Sequence, residues 1–275
     1  VAVGYQALFT EDAHGNNTAI GYRALKVQNA GANAGNTAVG YDAGVAVTDG
    51  HSNTLIGTLA GSVLTTGDEN TYVGYSAGSS GTATFTGNTA LGFNTFAAGA
   101  NVGDANTAIG WSVLKNTNAN SNGHNTALGY NAGRGNDTGY DNTFIGSGAG
   151  SSNSTGYSNT FFGKGSGSTI TTGNSHTIIG RFDGNQGGLD IRTATNQIVF
   201  SDGAGTPHGG YNGLVHASYP HWNFNSGTNS YFAGSVRHTG TAPYGFAVNF
   251  TGSAPNNTSR EFIFCNDTSA SRFTV

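Results

Sequence analysis

The sequence predicts an all-β protein, a fibrous stack of parallel β-solenoid or β-roll coils of about 17 to 19 residues, followed by a smaller β-rich domain. Three observations lead to this fold class. The phrase "NTAIGYRAL" (17–25) recurs along most of the chain, large and small residues alternate within it, and 46 glycines accompany only 9% charged residues. A short, nearly constant period is typical of solenoid proteins, in which each repeat forms one coil.

One glycine defines the repeat, and eleven copies of it occur 17 to 19 residues apart. An apolar residue precedes this motif glycine in every copy, and Thr lies two positions further upstream in ten of them. An aromatic residue follows the glycine in seven copies. This alternation has the period of a strand and not that of a helix. The motif glycines are Gly4, Gly21, Gly40, Gly57, Gly74, Gly92, Gly110, Gly129, Gly146, Gly163 and Gly180.

Each predicted strand has one face of large side chains and one face of small residues. Thr18, Ile20 and Gly21, like Thr107, Ile109 and Gly110, are therefore assigned a structural role in the repeat. Coils stacked about 4.8 Å apart place identical residues above one another, so eleven coils would form a rod of about 50 Å. Ladders of Thr, aliphatic and Asn side chains are expected, and stacked Asn amides can hydrogen-bond along such a ladder.

A coil of about 18 residues encloses little apolar volume, so the recurrent aromatic residues need a cover. Self-association along the rod axis is the simplest way to provide it, and the expected assembly is a homotrimer. The net charge of −4 and the scattered Lys and Arg residues argue against nucleic-acid binding. The absence of an 18-residue apolar run argues against membrane insertion. Cys265 is the single cysteine, which excludes a disulfide framework within the chain, and no cofactor or metal is expected.

The periodicity ends after "HTIIGRFDG", which divides the sequence into a repetitive shaft (1–183) and a β-rich distal domain (184–275). The sequence begins inside a repeat and ends on the strand-like "SRFTV", so we expect the protein to continue beyond residue 275. The distal "YPHWNF" segment supplies aromatic groups that either pack in a trimer core or stack on host sugar rings. On the second interpretation, the glycan-binding residues are Tyr219, His221, Trp222, Phe224 and Tyr231.

Motifs that suggest catalysis coincide with the repeat. "GYSAG" (74–78) matches the nucleophile elbow of α/β-hydrolases, but Ser76 takes a position that Gln, Arg, Asp and Leu fill in other copies. A glycosidase needs two carboxyl groups about 5 to 9.5 Å apart. Only Glu11, Glu69 and Glu261 are glutamates, and "GDEN" (67–70) is a turn in which acidic residues are ordinarily solvated. The sequence therefore predicts no enzyme and no catalytic residue, with a glycan-degrading tailspike as an alternative.

Two further patterns have alternative interpretations. His14, His51, His124 and His176 precede the strand phrase and are predicted to be exposed turn residues, although equivalent histidines of a trimer could meet on its axis. A ladder of threonine hydroxyls could bind ice, but each Thr shares its face with an aliphatic residue, as residues that face a core do.

The repeat resembles two families of fibrous proteins. "NTAIGYRAL" is similar to the head repeats of trimeric autotransporter adhesins, and more so to the Asn-Thr-Ala-Ile/Val-Gly arrays of long tail fibres of bacteriophages, including cyanophages. The resemblance covers residues 1–180 and implies a trimeric, parallel β-structured fibre. It further implies a structural and adhesive tail fibre of the virion, outside the cell, that binds a host surface glycan or protein receptor and other virion tail proteins. A bacterial trimeric autotransporter-type adhesin is the first alternative.

Overall fold

The computed structural model describes residues 1–12, 15–30, 33–80, 84–98, 103–118 and 123–211. These residues form short β-strands joined by turns, and they contain no helix. Eleven successive coils stack in parallel, which confirms the prediction of an all-β solenoid built from the repeat. Residues 212–275 lie outside the described ranges, so the distal domain stays a prediction.

Each repeat contributes one strand, which begins at or next to the repeat Thr and ends directly before the motif glycine. β-Branched Thr, Ile and Val favour this extended conformation. Neighbouring strands pair in parallel and in register, so that Thr18 pairs with Thr37, and Ile20 with Val39. The strands are β1 (Ala2–Val3), β2 (Thr18–Ile20), β3 (Thr37–Val39), β4 (Thr54–Ile56), β5 (Thr71–Val73), β6 (Thr89–Leu91), β7 (Thr107–Ile109), β8 (Thr126–Leu128), β9 (Thr143–Ile145), β10 (Thr160–Phe162) and β11 (Thr177–Ile179).

The stack continues beyond residue 183. A small antiparallel hairpin, β12 (Asn185–Gln186) and β13 (Leu189–Asp190), leads to β14 (Ile198–Ser201), which pairs in parallel with β11. β15 (Pro207–Tyr211) then pairs antiparallel to β14 and ends the parallel order. The sequence predicts a strand-like run at "NQIVF" (196–200), which contains most of β14, but the period did not reveal its place in the stack. Ser201, 21 residues after Gly180, takes the position of the motif glycine.

The motif glycine recurs because no other residue fits its place. Gly57 has a φ of +130°, a conformation that residues with a Cβ rarely adopt. A Cβ at Gly57 would also lie 2.5 Å from the carbonyl oxygen of Gly74 in the next coil. Successive motif glycines therefore let neighbouring backbones approach closely at the point where each strand ends.

In most coils the interior is filled from two positions that compensate for each other, and the third coil, with Ala38 and Gly44, and the eighth, with Ala127 and Gly133, are the exceptions. The middle residue of the strand points inward, and so does the residue four positions after the motif glycine. In the second coil the strand supplies Ala19 and the turn supplies Leu25, whereas in the ninth coil the strand supplies Phe144 and the turn has Gly150. All four residues are fully or almost fully excluded from solvent, so the core stays close-packed while the source of its bulk changes.

A ladder of buried asparagines runs along the stack beside the strands. The Oδ1 atom of Asn36 accepts the backbone N–H of Asn53 at 2.8 Å, and the Nδ2 group of Asn53 donates to the Gly67 carbonyl at 2.9 Å. The first of these bonds recurs in every coil, so the Oδ1 atom of each ladder asparagine accepts the backbone N–H of the ladder residue in the next coil. This confirms the predicted hydrogen-bonded Asn ladder. Its members are Asn17, Asn36, Asn53, Asn70, Asn88, Asn106, Asn125, Asn142 and Asn159.

Candidate functional site

The outward face of the parallel strands runs along the stack of coils. From β2 to β11 the middle residue of each strand is buried, whereas the Thr before it and the apolar residue after it are half-buried or exposed in the single chain. We call the ladder of Thr residues and the ladder of aliphatic residues together the strand face, and the second of these ladders the aliphatic column. The exposed residues of its aliphatic column are Val3, Ile20, Ile56, Leu91, Leu128, Phe162, Ile179 and Phe200.

A column of aromatic residues follows the motif glycines along one edge of the strand face. Tyr22 stacks on Tyr5 with ring centroids 5.3 Å apart and on Tyr41 at 5.2 Å. A second stack consists of Tyr75 and Phe93 at 5.4 Å, with Trp111 4.3 Å beyond Phe93. Because neighbouring rings cover one another, the faces of the inner rings are occupied and mainly their edges reach solvent. We call this series the aromatic column.

The aromatic column is interrupted at Thr58. The backbone N–H of Leu59 donates to the Tyr41 carbonyl at 2.9 Å, and that of Ser76 donates to the Thr58 carbonyl at the same distance. Thr58 therefore lies in the coil between Tyr41 and Tyr75. Two inter-strand spacings place these two tyrosines about 9.6 Å apart. They are 49% and 50% exposed.

An ion pair lies beside the stack formed by Tyr5, Tyr22 and Tyr41. Arg23 donates from Nε to Oδ1 of Asp42 at 2.7 Å, and its Nη2 donates to Oδ2 of the same carboxylate. The guanidinium lies 5.3 Å from the centroid of the Tyr22 ring. The Asp42 carboxylate raises the pKa of Arg23 further above its ordinary range, mainly through this hydrogen bond. Both carboxylate oxygens of Asp42 are engaged, so the side chain ties two coils together.

The described histidines fall into two groups. His51 and His124 are exposed and lie 3.3 and 3.4 Å from Asp68 and Asp141 of the next coil, as expected for turn residues. The prediction that His176 is an exposed turn residue is wrong. It is fully buried because it replaces asparagine in the ladder, and His14 lies outside the described residues.

His176 continues the asparagine ladder with an imidazole. Its Nδ1 accepts the backbone N–H of Gln197 at 3.1 Å, just as an asparagine Oδ1 accepts the N–H of the next coil. Burial lowers the pKa of His176 to about 4, against a smaller opposite effect of the Ala194 carbonyl. The ring is therefore neutral near pH 7, with Nδ1 as an acceptor.

The residues of the motifs that resemble catalytic sites are engaged in the packing and hydrogen bonds of the repeat. Ser76 is buried at the left-handed corner that follows each motif glycine, with a φ of 53°, and Ser112 occupies the same corner two coils further on at 51°. In "GDEN", the Asp68 carboxylate accepts the backbone N–H of His51 at 2.9 Å. Glu11 accepts from the Nδ2 group of Asn17 at 2.5 Å. Within the described ranges, no group of three or more His, Cys, Asp or Glu residues could hold a metal ion.

The predicted glycan-binding residues Tyr219, His221, Trp222, Phe224 and Tyr231 lie outside the described residues, as does Glu261. Among the described residues no helix is long and apolar enough to cross a membrane. No protein-family model matches the chain, and no curated protein or solved structure is significantly similar to it.

The sequence pattern predicted the aromatic column but not the consequence of its interruption. "IGTLAG" (56–61) differs from its neighbours in having Thr where "VGYDAG" and "VGYSAG" have Tyr. In the sequence, one of the successive repeats simply lacks an aromatic residue after its motif glycine. Only the stacking of the coils in register shows that Thr58 lies between Tyr41 and Tyr75.

Proposed function

We propose that the chain is part of a trimeric adhesive fibre, a bacteriophage tail fibre that attaches to a bacterial host surface. Three copies would run side by side with their strand faces turned toward a common axis. The proposal assigns two tasks to different parts of the repeat: the strand phrase builds the rod, and the segments that vary in length between repeats contact the surroundings.

The observation that carries the proposal is the exposed apolar surface of the single chain. Fourteen large residues of the aliphatic and aromatic columns are each 38% to 64% exposed, and they lie in two rows along the stack. Their combined accessible surface is on the order of 1,000 Å², whereas the largest apolar patch of a typical monomer covers a few hundred. Association of copies along the stack would remove this surface from water.

The repeat also accounts for the mechanical side of the function. Backbone hydrogen bonds and the asparagine ladder connect every coil to the next, which favours a stiff shaft. A stiff shaft with three equivalent chains holds weak binding sites at a high effective concentration, so attachment gains strength through avidity. Low charge and the prediction of no catalytic residue are compatible with binding rather than turnover.

Light scattering on the purified chain measures its oligomeric state. A matched pair of variants tests whether the strand face forms the contact between copies. Ile56→Glu places a charge on the strand face at a residue that is exposed in the single chain, so the coil itself should still form. Thr66→Glu places the same charge on an exposed residue of the same repeat, outside the strand face. We expect a trimer for the wild type and for Thr66→Glu, and a monomer for Ile56→Glu. A monomeric wild type contradicts the trimer, and a trimeric Ile56→Glu variant contradicts the assignment of the face.

Attachment is tested separately with the fluorescently labelled chain on a panel of bacterial strains, including cyanobacteria. The proposal expects saturable binding to some strains and none to others. Equal binding to every strain, or to none, contradicts a host-recognition role. Incubation of the chain with polysaccharide from a bound strain, followed by an assay for reducing ends, distinguishes adhesion from the tailspike alternative.

A further inference from the structure

We infer that neighbouring chains of the proposed trimer meet edge to edge, so that the aromatic column of one chain packs against a column of turn residues on the next chain. The inference deepens the proposed function by naming what covers the aromatic column, a second copy of the same chain, and the residues that this copy contributes. It rests on the trimer of that proposal and adds which residues face each other.

A second exposed column borders the strand face, on the side opposite the aromatic column. Its residues lie two positions before the repeat Thr and directly before the buried ladder residue, and each of them is exposed. Their backbones are left-handed, with a φ of 54° at Asn16 and 63° at Gly35. The strand face thus has turn residues at the edge where each strand begins and aromatic residues at the edge where it ends. We call this series the turn column, and its members are Asn16, Gly35, Ser52, Glu69, Gly87, Ala105, His124, Asp141, Ser158 and Ser175.

The symmetry of a closed trimer determines which edges meet. The strands of the stack are parallel, so all of them cross the strand face in the same direction. When three such faces turn toward one threefold axis, the edge where strands end on one chain lies beside the edge where strands begin on the next. A closed rotation has no shift along the axis, so the edges that meet belong to the same coil. Each aromatic residue therefore faces, on the neighbouring chain, the turn residue six positions before it.

The width of the strand face fits this arrangement. Six residues separate the two columns, which is at most about 20 Å of extended chain. Three faces of this width enclose an axis that lies at most about 6 Å from the middle of each strand. The Thr and aliphatic side chains between the two columns project into this space. Side chains of this size from three chains can fill it, which would remove the aliphatic column from water.

The bulk of the two columns is complementary where the aromatic column is not tyrosine. Phe93 faces Gly87 of the neighbour, and Trp111 faces Ala105. Both turn residues are exposed, and neither has a side chain larger than a methyl group. These two rings therefore pack on the backbone and one methyl group of the next chain. The contact removes apolar surface from water without burying a polar side chain that lacks a partner.

The tyrosines of the aromatic column mostly face polar side chains of the turn column. A phenol hydroxyl can donate and accept hydrogen bonds, so amide, carboxylate and imidazole groups are suitable partners. Tyr41 is the exception, because it faces Gly35. No facing pair joins two charges of the same sign, an arrangement that disfavours association. The three polar pairs are Tyr22 with Asn16, Tyr75 with Glu69, and Tyr130 with His124.

Disulfide cross-linking of the full chain tests this pairing. In a Cys265→Ser background, which removes the natural thiol, Ser52→Cys and Thr58→Cys place one thiol at each edge of the same coil. A disulfide needs Cα atoms about 4.4 to 6.8 Å apart, whereas these two positions lie at opposite edges of the face within one chain. After oxidation we expect covalent trimers as the main species on a non-reducing denaturing gel, because each chain forms one bond to each neighbour.

The controls separate this pairing from random oxidation. Each single variant should stay monomeric on the gel, since equivalent edges of the three chains do not touch. Ser52→Cys combined with Thr66→Cys, whose second thiol lies in the same repeat outside the strand face, should form no covalent trimer. Asp141→Cys with Ser147→Cys repeats the six-residue pairing on exposed residues of another coil and should form covalent trimers. Circular dichroism and light scattering before oxidation establish the fold and oligomeric state of each variant.

The outcomes distinguish a failure of this inference from a failure of the proposed function. Variants that are trimeric by light scattering but give no covalent trimer with either pair overturn the edge-to-edge pairing and leave the proposed fibre intact. Covalent dimers from the single variants, or covalent trimers from Ser52→Cys with Thr66→Cys, overturn the pairing as well. A wild type that is monomeric by light scattering contradicts the proposed trimer and this inference together.

Discussion

Phe144 and Gly150 share one space inside the ninth coil. A Cβ placed on Gly150 would collide with the Phe144 ring. In the second coil the arrangement is reversed, since Ala19 leaves room that Leu25 fills from the turn. Leu25 adopts the left-handed conformation there, with a φ of 48°, so this corner can hold a side chain where the strand supplies little bulk. In the third coil Ala38 is combined with Gly44, and Leu25 and Leu55 of the adjacent coils fill the space.

Because the two positions share one space, we expect that the ninth coil can be given the arrangement of the second coil, with alanine in the strand and leucine in the turn. Phe144→Ala alone should lower the free energy of unfolding by about 3 to 5 kcal/mol, because it leaves a cavity. Gly150→Leu alone should cost about 1 to 3 kcal/mol, because it overpacks the core. The double variant should be more stable than Phe144→Ala alone, since the leucine occupies the vacated space. Denaturant unfolding of the three variants and the wild type measures this coupling.

Gly148 provides the control for that exchange. It has a left-handed φ of 71°, like the corner at Gly150, but a Cβ there would meet nothing closer than the Gly165 Cα at 4.0 Å. Phe144→Ala combined with Gly148→Leu should therefore recover no stability. Additive effects in the Phe144→Ala, Gly150→Leu variant would contradict the shared space.

The sequence alone predicted the parts of the fold that repeat. The strand, its alternation, the register of Thr18 on Thr37 and the asparagine ladder all follow from a period that identical residues must obey when they stack. It predicted "NQIVF" as a strand-like run but not the parallel pairing of β14 with β11, because Ser201 and the longer spacing break the period while the pairing survives. The burial of His176 was missed for a related reason. The alignment of "SHTIIG" with "SNTFFG" already places His176 at the position of Asn159, but the period shows only that the two residues are equivalent and not that their position is buried.

The motif glycine should be intolerant of even the smallest side chain. Gly57→Ala forces a Cβ to within 2.5 Å of the Gly74 carbonyl oxygen and requires a φ of +130°. We expect a loss of more than about 3 kcal/mol, because steric collision with backbone adds to conformational strain of about 1 to 3 kcal/mol. Thermal unfolding followed by circular dichroism measures the effect.

Gly87→Ala is the matched comparison. Gly87 has a φ of 71°, and the nearest atom to an added Cβ is the Ala105 Cα at 3.9 Å. Ala105 itself occupies the equivalent corner of the next coil with a φ of 53°. Gly87→Ala should therefore cost about 1 kcal/mol. If both alanine variants lost the same stability, the close approach of the motif glycines would not explain their recurrence.

The asparagine ladder should contribute stability that a surface hydroxyl does not. Asn53→Ala removes the Oδ1 acceptor of the Asn70 N–H and the donor to the Gly67 carbonyl, and leaves both groups buried. Unsatisfied buried groups cost about 1 to 3 kcal/mol each. Thr54→Ala, one residue later on the half-exposed strand face, should change the stability of the single chain by less than about 1 kcal/mol. Urea unfolding of the two variants under identical conditions compares them, and equal losses would contradict a structural role for the ladder.

Acid should weaken the junction between β11 and β14 through His176. The pKa of this imidazole is lowered from 6.5 to about 4 in the folded chain, because burial disfavours the charged form. The unfolded chain therefore binds the proton more readily, and folding stability falls as the pH drops from about 6.5 toward 4. Below about pH 4 the folded chain is protonated as well, and His176 causes no further loss. The physical cost is specific: a proton on Nδ1 removes the acceptor of the Gln197 N–H.

His176→Asn separates this effect from the titration of other groups. Asparagine occupies the same ladder position in earlier coils and does not ionise, so the variant should lose less stability than the wild type between pH 6.5 and 4. His51→Asn, which removes an exposed imidazole outside the ladder, is the matched control. Melting temperatures at half-unit pH steps reveal the difference as a divergence of the His176→Asn curve within that window. Parallel curves for all three proteins would show that His176 is not the titrating group, and a divergence above pH 7 would contradict the lowered pKa.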